Sequence, residues 1–174
     1  MPNINWDELA SNYNNFKDYA PAGIHKAKVA SVENRTASTG TVWQEFKFED
    51  SDKYAFPKVS HPLSSKNANW RAWHWKCLFE LLGATEENAK KAVESCEGKG
   101  NFDQICEAYQ NAMNRLVAKH PEVEIEVWAD GQYSRADFND RVRMSRPDDE
   151  PRQSKSTSDP LEGAVEINDS DVPF

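Results

Sequence analysis

Aromatic and basic residues share one side of two neighbouring segments, residues 41–48 and 53–60. The set consists of Trp43, Lys47, Tyr54, Phe56 and Lys58. Residues two apart in a strand point to the same face, so each segment would present rings next to cations. The bases of single-stranded nucleic acid stack on such rings, at about 1–3 kcal/mol per base, while Lys or Arg contacts the phosphates. The alternative is that the rings pack beneath helices of the same domain.

A second aromatic cluster lies near the middle of the sequence, where Trp70, Trp73 and Trp75 are accompanied by Arg71 and Lys76. On a helix, Trp70 and Trp73 share one side, whereas Trp75 faces the apolar residues that follow it. We therefore expect Trp75 in the core. Trp70, Arg71 and Trp73 are candidates for extending a nucleic-acid surface, with core packing as the alternative for the rings.

Three arginines near the last strand-like segment, Arg135, Arg141 and Arg143, are candidates for holding phosphates. Two other interpretations stay open. The three side chains could be solvated charges, or they could pair with the glutamates of the preceding segment, residues 122–127.

Metal and enzyme signals are weak. His74 and Cys77 are three residues apart, but Cys96 and Cys106 have no closely spaced ligand. The sequence has no glycine-rich phosphate loop and no nucleophile elbow. We therefore expect no metal site, no cofactor and no enzymatic activity. A competing hypothesis is a metal-dependent nuclease, because three further carboxylates could hold a cation. They are Glu126, Asp137 and Asp140.

The last six residues combine acids with an apolar end. Asp169 and Asp171 precede Val172, Pro173 and Phe174. Such an ending offers a ring for a partner's pocket, a carboxylate for an Arg and acids for a basic rim. We expect it to bind another protein.

Most of the negative charge is concentrated near this end. The formal net charge is -8, and residues 148–174 contain eight acids and two bases, or -6. Residues 1–147 hold the other 21 acids and 19 bases, or -2. The sequence pI of about 5.0 would by itself argue against nucleic-acid binding, but a nearly neutral body can still carry a local basic surface.

The sequence indicates a cytoplasmic protein without a membrane anchor. No segment has the length of a membrane span, and no signal-peptide pattern is present. Three Cys, an odd number, indicate a reducing compartment rather than a disulfide framework.

Periodicity predicts the elements that must position these residues. The predicted order is a helix (4–19), three strands (24–33, 41–48, 53–60), a helical insert (62–120) and two strands (122–127, 133–144). This is the arrangement of an OB-fold, a five-stranded barrel that binds oligonucleotides. An α+β domain with a five-stranded sheet is the alternative. We expect the domain to cover residues 1–146, followed by a disordered acidic tail over 147–174.

The ending resembles the C-terminal tip of bacterial single-stranded DNA-binding proteins, in which a run of Asp is followed by Ile-Pro-Phe. Here Ser170 interrupts the acids and Val172 replaces Ile, while the ring, the carboxylate and the flanking charge are kept. Residues 169–174 are called the tip below.

The body is similar to a family of small phage proteins that are encoded beside replication and recombination genes and are taken to be phage single-stranded DNA-binding proteins. The similarity covers residues 3–145. It rests on four stretches: Asn5-Trp6, Tyr19-Ala20-Pro21-Ala22-Gly23, Asn69-Trp70-Arg71 and Lys119-His120-Pro121-Glu122-Val123.

The resemblance implies a protein of the bacterial host cytoplasm that binds and protects single-stranded DNA, without sequence preference, during phage replication, recombination and repair. Its tip would recruit replication and recombination proteins, and the tail could also fold onto the DNA groove and compete with DNA. A homo-oligomer is left open. The alternatives are a nuclease or annealing mediator with the same tail, and an adaptor whose body binds protein.

Overall fold

The computed structural model of the protein describes residues 4–14, 17–139 and 174. The helices are α1 (Trp6–Asn14), α2 (Ala68–Leu81), α3 (Glu86–Glu97) and α4 (Phe102–Lys119). The strands are β1 (Gly23–Thr36), β2 (Val42–Phe48), β3 (Val59–Leu63), β4 (Glu122–Asp130) and β5 (Tyr133–Phe138). The prediction of five strands, with helices inserted between the third and the fourth, is confirmed.

The strands form one antiparallel sheet in the order β3-β2-β1-β4-β5. The long strand β1 serves both halves of the sheet. Residues from Gly23 to Lys28 pair with β4, and residues from Val29 to Thr36 pair with β2. The register shifts between Val29 and Ser31, where an extra residue lets one strand bend from one partner to the other.

Within the described residues, the sheet is not closed into the five-stranded barrel that the sequence predicts. β3 and β5 stand at the two ends of the strand order, and no ladder joins them in this part of the chain. Side chains fill the seam instead: the His61 ring stacks on Phe138, with 5.6 Å between centroids, and reaches Asp137. Pro62 in β3 has no N–H to offer a neighbouring strand, which favours an open edge here.

The third strand lies later in the chain than the predicted segment 53–60. Tyr54 and Phe56 belong to the connection that precedes it, and both are partly buried against the core. Ala55, between them, pairs with Tyr19, and its carbonyl accepts a hydrogen bond from the Ala20 amide at 2.9 Å. The alternation of rings in the sequence therefore reflects a loop packed on the domain rather than a strand.

The inserted helices begin at side-chain caps. Asn67, Thr85 and Asn101 each accept a backbone N–H of the first turn of α2, α3 and α4, respectively. The Asn67 side chain that caps α2 accepts from the Trp70 amide. Side-chain caps of this kind typically contribute about 1 kcal/mol each.

The core lies between these helices and the inner face of the sheet. Its largest fully buried side chains include Trp75, Tyr109, Phe46, Phe79 and Phe138. As expected, Trp75 is a core residue, and its indole N–H donates to Gln44 at 3.0 Å.

The first helix is shorter than the predicted helix 4–19, and its Trp6 side chain is 72% exposed. In the described part of the chain, no helix combines the length and the apolar character that crossing a bilayer requires.

Candidate nucleic-acid interface

The outer face of β1, β2 and β3 has a tryptophan at its centre. In the register of the sheet, Trp43 lies between Arg35 of β1 and Pro62 of β3. Trp43 is half-buried, whereas its inward-facing neighbour Gln44 is fully buried. Because side chains alternate along a strand, Trp43 points away from the core. The side of β1–β3 on which Arg35, Trp43 and Pro62 are neighbours is called the outer face below.

Three cations lie on the same side of the sheet as Trp43, and each of them contacts a carboxylate. The Arg35 guanidinium lies 2.8 Å and the Lys58 ammonium 2.5 Å from Oε2 of Glu45. Lys47 lies 3.3 Å from Glu33. The outer face therefore carries three cations that are paired with two carboxylates, Glu33 and Glu45.

Glu45 is the buried member of this group. Burial raises the pKa of its carboxyl, but the hydrogen bonds and charges of Lys58 and Arg35 together lower that pKa below its ordinary value. Glu45 is consequently ionised at neutral pH and holds the two cations beside Trp43.

An open groove of about 620 Å³ continues from the outer face past Pro62. The loop between β1 and β2 and the loop before α2 form its walls, and Trp70 and Phe102 contribute rings. Its polar lining includes Thr39, Thr41, Ser64, Ser65, Lys66 and Asn67. The groove thus combines rings, hydroxyls and one lysine next to the Trp43 row.

Trp70 is held in this groove by a buried histidine. Its ring stacks on His74 with centroids 4.8 Å apart and a 20° angle between planes. His74 Nε2 lies 3.0 Å from His61 Nδ1, and His61 Nε2 lies 2.9 Å from Asp137. A polar chain therefore leads from the open seam of the sheet to the base of the groove.

Each contact in this chain joins a ring nitrogen to one further atom. His61 Nε2 faces Asp137 Oδ1, and His61 Nδ1 faces His74 Nε2, with donor and acceptor roles that depend on the tautomer of the rings. The other ring nitrogen of His74, Nδ1, is buried and has no hydrogen-bond partner among the residues that the structure describes.

The environment of His74 keeps it neutral. Burial is the main cause, and the nearby His61 adds to it, so that the pKa of His74 falls to about 3, although the Asp137 charge acts in the opposite direction. A neutral His74 is a flat, apolar-like support for the Trp70 ring.

Arg71 lies inside the protein and not on the groove surface. Its guanidinium hydrogen-bonds Glu97 at 2.8 and 2.5 Å, donates to the Ser64 carbonyl and lies over the Phe102 ring at 5.5 Å. Tyr109 donates to the same Glu97 carboxylate at 2.9 Å. Arg71 therefore positions the groove wall, and its guanidinium is committed to these internal partners.

The other predicted rings lie on the core side of the molecule. Tyr54 and Phe56 are partly buried against the core, and so is Trp73, over whose ring Lys76 sits at 5.0 Å. The structure thus places Trp43, Lys47 and Lys58 along one side of the sheet and Trp70 in the groove, and it leaves these three rings outside both.

The remaining predicted residues lie elsewhere or are not described. Arg135 on β5 is exposed and pairs with Asp130 at 2.8 Å. Arg141 and Arg143 lie outside the described residues, as do Asp169, Asp171, Val172 and Pro173, and the disorder predicted for the tail also concerns that part. Phe174 is described and is partly buried against the core.

The carboxylates of the nuclease hypothesis are only partly described. Glu126 and Asp137 lie opposite each other on β4 and β5, but Asp137 accepts hydrogen bonds from His61 and from the Phe138 amide, and Asp140 lies outside the described residues. Among the residues that the structure covers, no group of three potential ligands could hold a metal ion.

Sequence reasoning missed Arg35, Glu45, His61 and the hydroxyl-rich loops. Of these, only Arg35 could have been found from the sequence. It lies shortly before a tight turn at residues 38–41, and a residue in that position faces the strand that follows the turn. The partners of Glu45 and His61 depend on register and on contacts distant in sequence, which local patterns do not contain.

Comparisons with known proteins were negative: no protein-family model matches the sequence, and no curated protein is significantly similar to it.

Proposed function

We propose that the protein binds single-stranded DNA, without sequence preference, along the outer face of β1–β3 and the adjoining groove. The observation that carries the proposal is Trp43, an outward-directed tryptophan within a row of three cations. A base stacked on a ring gains about 1–3 kcal/mol whatever its identity, while cations beside the ring follow the phosphates.

The strand order supports the same function. An OB-fold is a partly open five-stranded barrel whose second and third strands and whose β1–β2 loop contact oligonucleotides. The order β3-β2-β1-β4-β5, with its open seam between β3 and β5, is that of such a barrel opened at one edge. Trp43 lies on the second strand, and the loop with Thr39 and Thr41 lines the groove. We infer an OB-fold with an incompletely closed barrel.

Paired cations are compatible with this role. Binding would exchange the contact of Lys47 with Glu33, and part of the contact of Lys58 with Glu45, for contacts with phosphates. Such an exchange weakens binding relative to free cations, while the salt dependence is set by the number of phosphates that the cations neutralise. It also keeps the outer face from attracting anions indiscriminately.

The tip completes the proposal. Its acids and its aromatic end resemble the recruitment tip of bacterial single-stranded DNA-binding proteins, so we assign it the recruitment of replication and recombination proteins. Charge separates the two proposed roles: the cations of the outer face suit the phosphates of DNA, and the acidic tail suits a partner with a basic surface.

The test is a titration of intrinsic tryptophan fluorescence with oligo-dT at several salt concentrations. We expect saturable quenching that weakens linearly with log salt, with a slope near -0.7 per phosphate neutralised. Trp43→Phe should lose a large part of the quenching, whereas Trp6→Phe on the exposed helix α1 should keep it. Absence of quenching and of any gel shift would contradict the proposal and favour an adaptor that binds protein.

A further inference from the structure

The ring of Phe174 packs on the helical insert. Its centroid lies 5.1 Å from that of Phe79, with a 44° angle between the ring planes. Phe174 is partly buried against the core, and Phe79 beneath it is fully buried. Phe79 in turn stacks on Tyr109, with centroids 6.2 Å apart, so the last residue of the sequence extends an aromatic column of α2 and α4.

This contact lies on a different part of the protein from the proposed DNA site. Phe79 belongs to the core side of α2, whereas Trp43 and its cations belong to the outer face of the sheet. A ring in this position covers apolar surface of the insert. The sequence-based hypothesis placed the tail on the DNA groove. The position of Phe174 instead indicates that the end of the tail contacts the helical insert.

The length of the chain permits the contact without strain on the fold. Residues 140–173 separate the last residue of the sheet region from Phe174, and a chain of that length spans up to about 120 Å. Phe174, on a tether of this length, has an effective concentration on the order of 1 mM or more near the domain. Even a weak site is then occupied for much of the time.

We propose that the helical insert carries a docking site for the chain's own Phe174, formed around Phe79, and that the tip is masked while it is docked. The consequence for partner recruitment rests on the proposed function of the tip, whereas the docking itself does not. A partner that takes the Phe174 ring must compete with the insert, so the tip becomes available only in the undocked fraction.

The first test uses the full-length chain and a fluorescein-labelled peptide of residues 169–174. Phe174→Ala empties the site, so this variant should bind the peptide about tenfold more tightly than the wild type, in which the tethered ring competes. Ile167→Ala, an apolar truncation in the same tail, should behave like the wild type. A peptide ending in Ala should not bind.

Hydrogen exchange gives a second readout that needs no peptide. Phe174→Ala should speed amide exchange at the C-terminal end of α2 about fivefold, as loss of a ring pair predicts, and adding the peptide should restore protection. Substituting Phe79 itself is a poorer test, because a fully buried ring also supports the core. Both assays contain neither DNA nor partner, so their failure is distinguishable from failure of the proposed function.

Three outcomes would overturn the proposal. Equal peptide affinity for the wild type and Phe174→Ala would show that no tethered ring competes. Unchanged exchange in Phe174→Ala would show that Phe174 does not cover α2. A concentration-dependent dimer that Phe174→Ala abolishes in sedimentation equilibrium would show that the site takes the Phe174 of a second copy.

Discussion

Two clusters in the described part of the chain bring an arginine into contact with a glutamate, and they differ in which partner is exposed. In the outer-face cluster, the cations are open to solvent, with 55% of the Arg35 and 49% of the Lys58 side chain exposed, whereas Glu45 is 5% exposed. In the insert cluster, Arg71 and Glu97 are both buried, at 5% and 1%.

This difference separates cations that can exchange partners from a cation that cannot. A phosphate can approach Arg35 and Lys58 from solvent, and either cation can turn to it while the other still neutralises the buried Glu45. Arg71 cannot exchange its partner for a phosphate in this way, because moving it would leave the Glu97 carboxylate buried without a counter-charge. Burial of the cation, more than its residue type, decides whether it serves binding or folding.

The largest expected effect concerns the buried cluster. Arg71→Met should destabilise the domain by about 3–5 kcal/mol, because Glu97 stays buried and loses its partner. Arg35→Met should change stability by at most about 1 kcal/mol, because Lys58 still neutralises Glu45. Urea unfolding measures both. Similar losses in the two variants would contradict the distinction between the clusters.

The second-largest expected effect is the pH dependence of stability that arises from the buried His74 below the groove. His74 has a pKa of about 3 in the fold, against about 6.5 when unfolded, so the unfolded chain binds more protons between these values. Stability is therefore complete above pH 6.5 and falls as the pH is lowered, by about 2 kcal/mol between pH 7 and pH 5 from this group alone.

Comparing urea midpoints at pH 7 and pH 5 isolates this contribution. His74→Gln keeps a hydrogen-bonding side chain toward His61 but does not titrate, so it should remove about 2 kcal/mol of the difference. A pH dependence that survives in His74→Gln would place the responsible group elsewhere.

The third effect concerns the outer face itself. Trp43→Ala should weaken oligo-dT binding about tenfold, as loss of one stacked base predicts, while the folded domain persists. Fluorescence anisotropy of a labelled oligonucleotide measures the affinity, and urea unfolding measures the stability. If the variant unfolds instead, Trp43 belongs to the packing of the domain.

The smallest effect sharpens the idea of exchangeable cations. Glu45→Gln releases Arg35 and Lys58 from a carboxylate, so affinity for oligo-dT should rise about threefold at low salt. The salt slope should steepen by about 0.7 for each additional phosphate that a released cation neutralises. Lys58→Ala is the matched opposite and should flatten the slope by a similar amount. A weaker Glu45→Gln complex would mean that the carboxylate orients the cations for DNA.

The sequence predicted the order of elements because that order is encoded locally. The helices α3 and α4 have capping residues and regular apolar spacing, and the strands β2 and β4 alternate, so their types were readable. The openness of the sheet was not readable. It depends on whether β3 finds a partner about 70 residues away in the chain, and the side chains that fill that seam, His61 and Asp137, leave no local pattern.

The candidate site was predictable only where a strand dictates direction. Trp43 and Lys47 share a face by alternation, and the register gives the same result. Arg71 was assigned to the DNA surface because it lies between two tryptophans, but Glu97, 26 positions later, holds it inside. Charge in a sequence does not reveal burial, since that depends on a partner brought close only by the fold.

The sharing of β1 between two partners has a consequence during synthesis. The half of β1 that pairs with β2 can form its ladder as soon as both have emerged, but the half from Gly23 to Lys28 must wait for β4. At ribosomal rates of about 5–20 residues per second, that half stays an uncovered strand edge for roughly 5–20 s. Lys26 and Lys28, exposed on this segment, are the kind of residue that keeps such an edge from pairing with a neighbouring nascent chain.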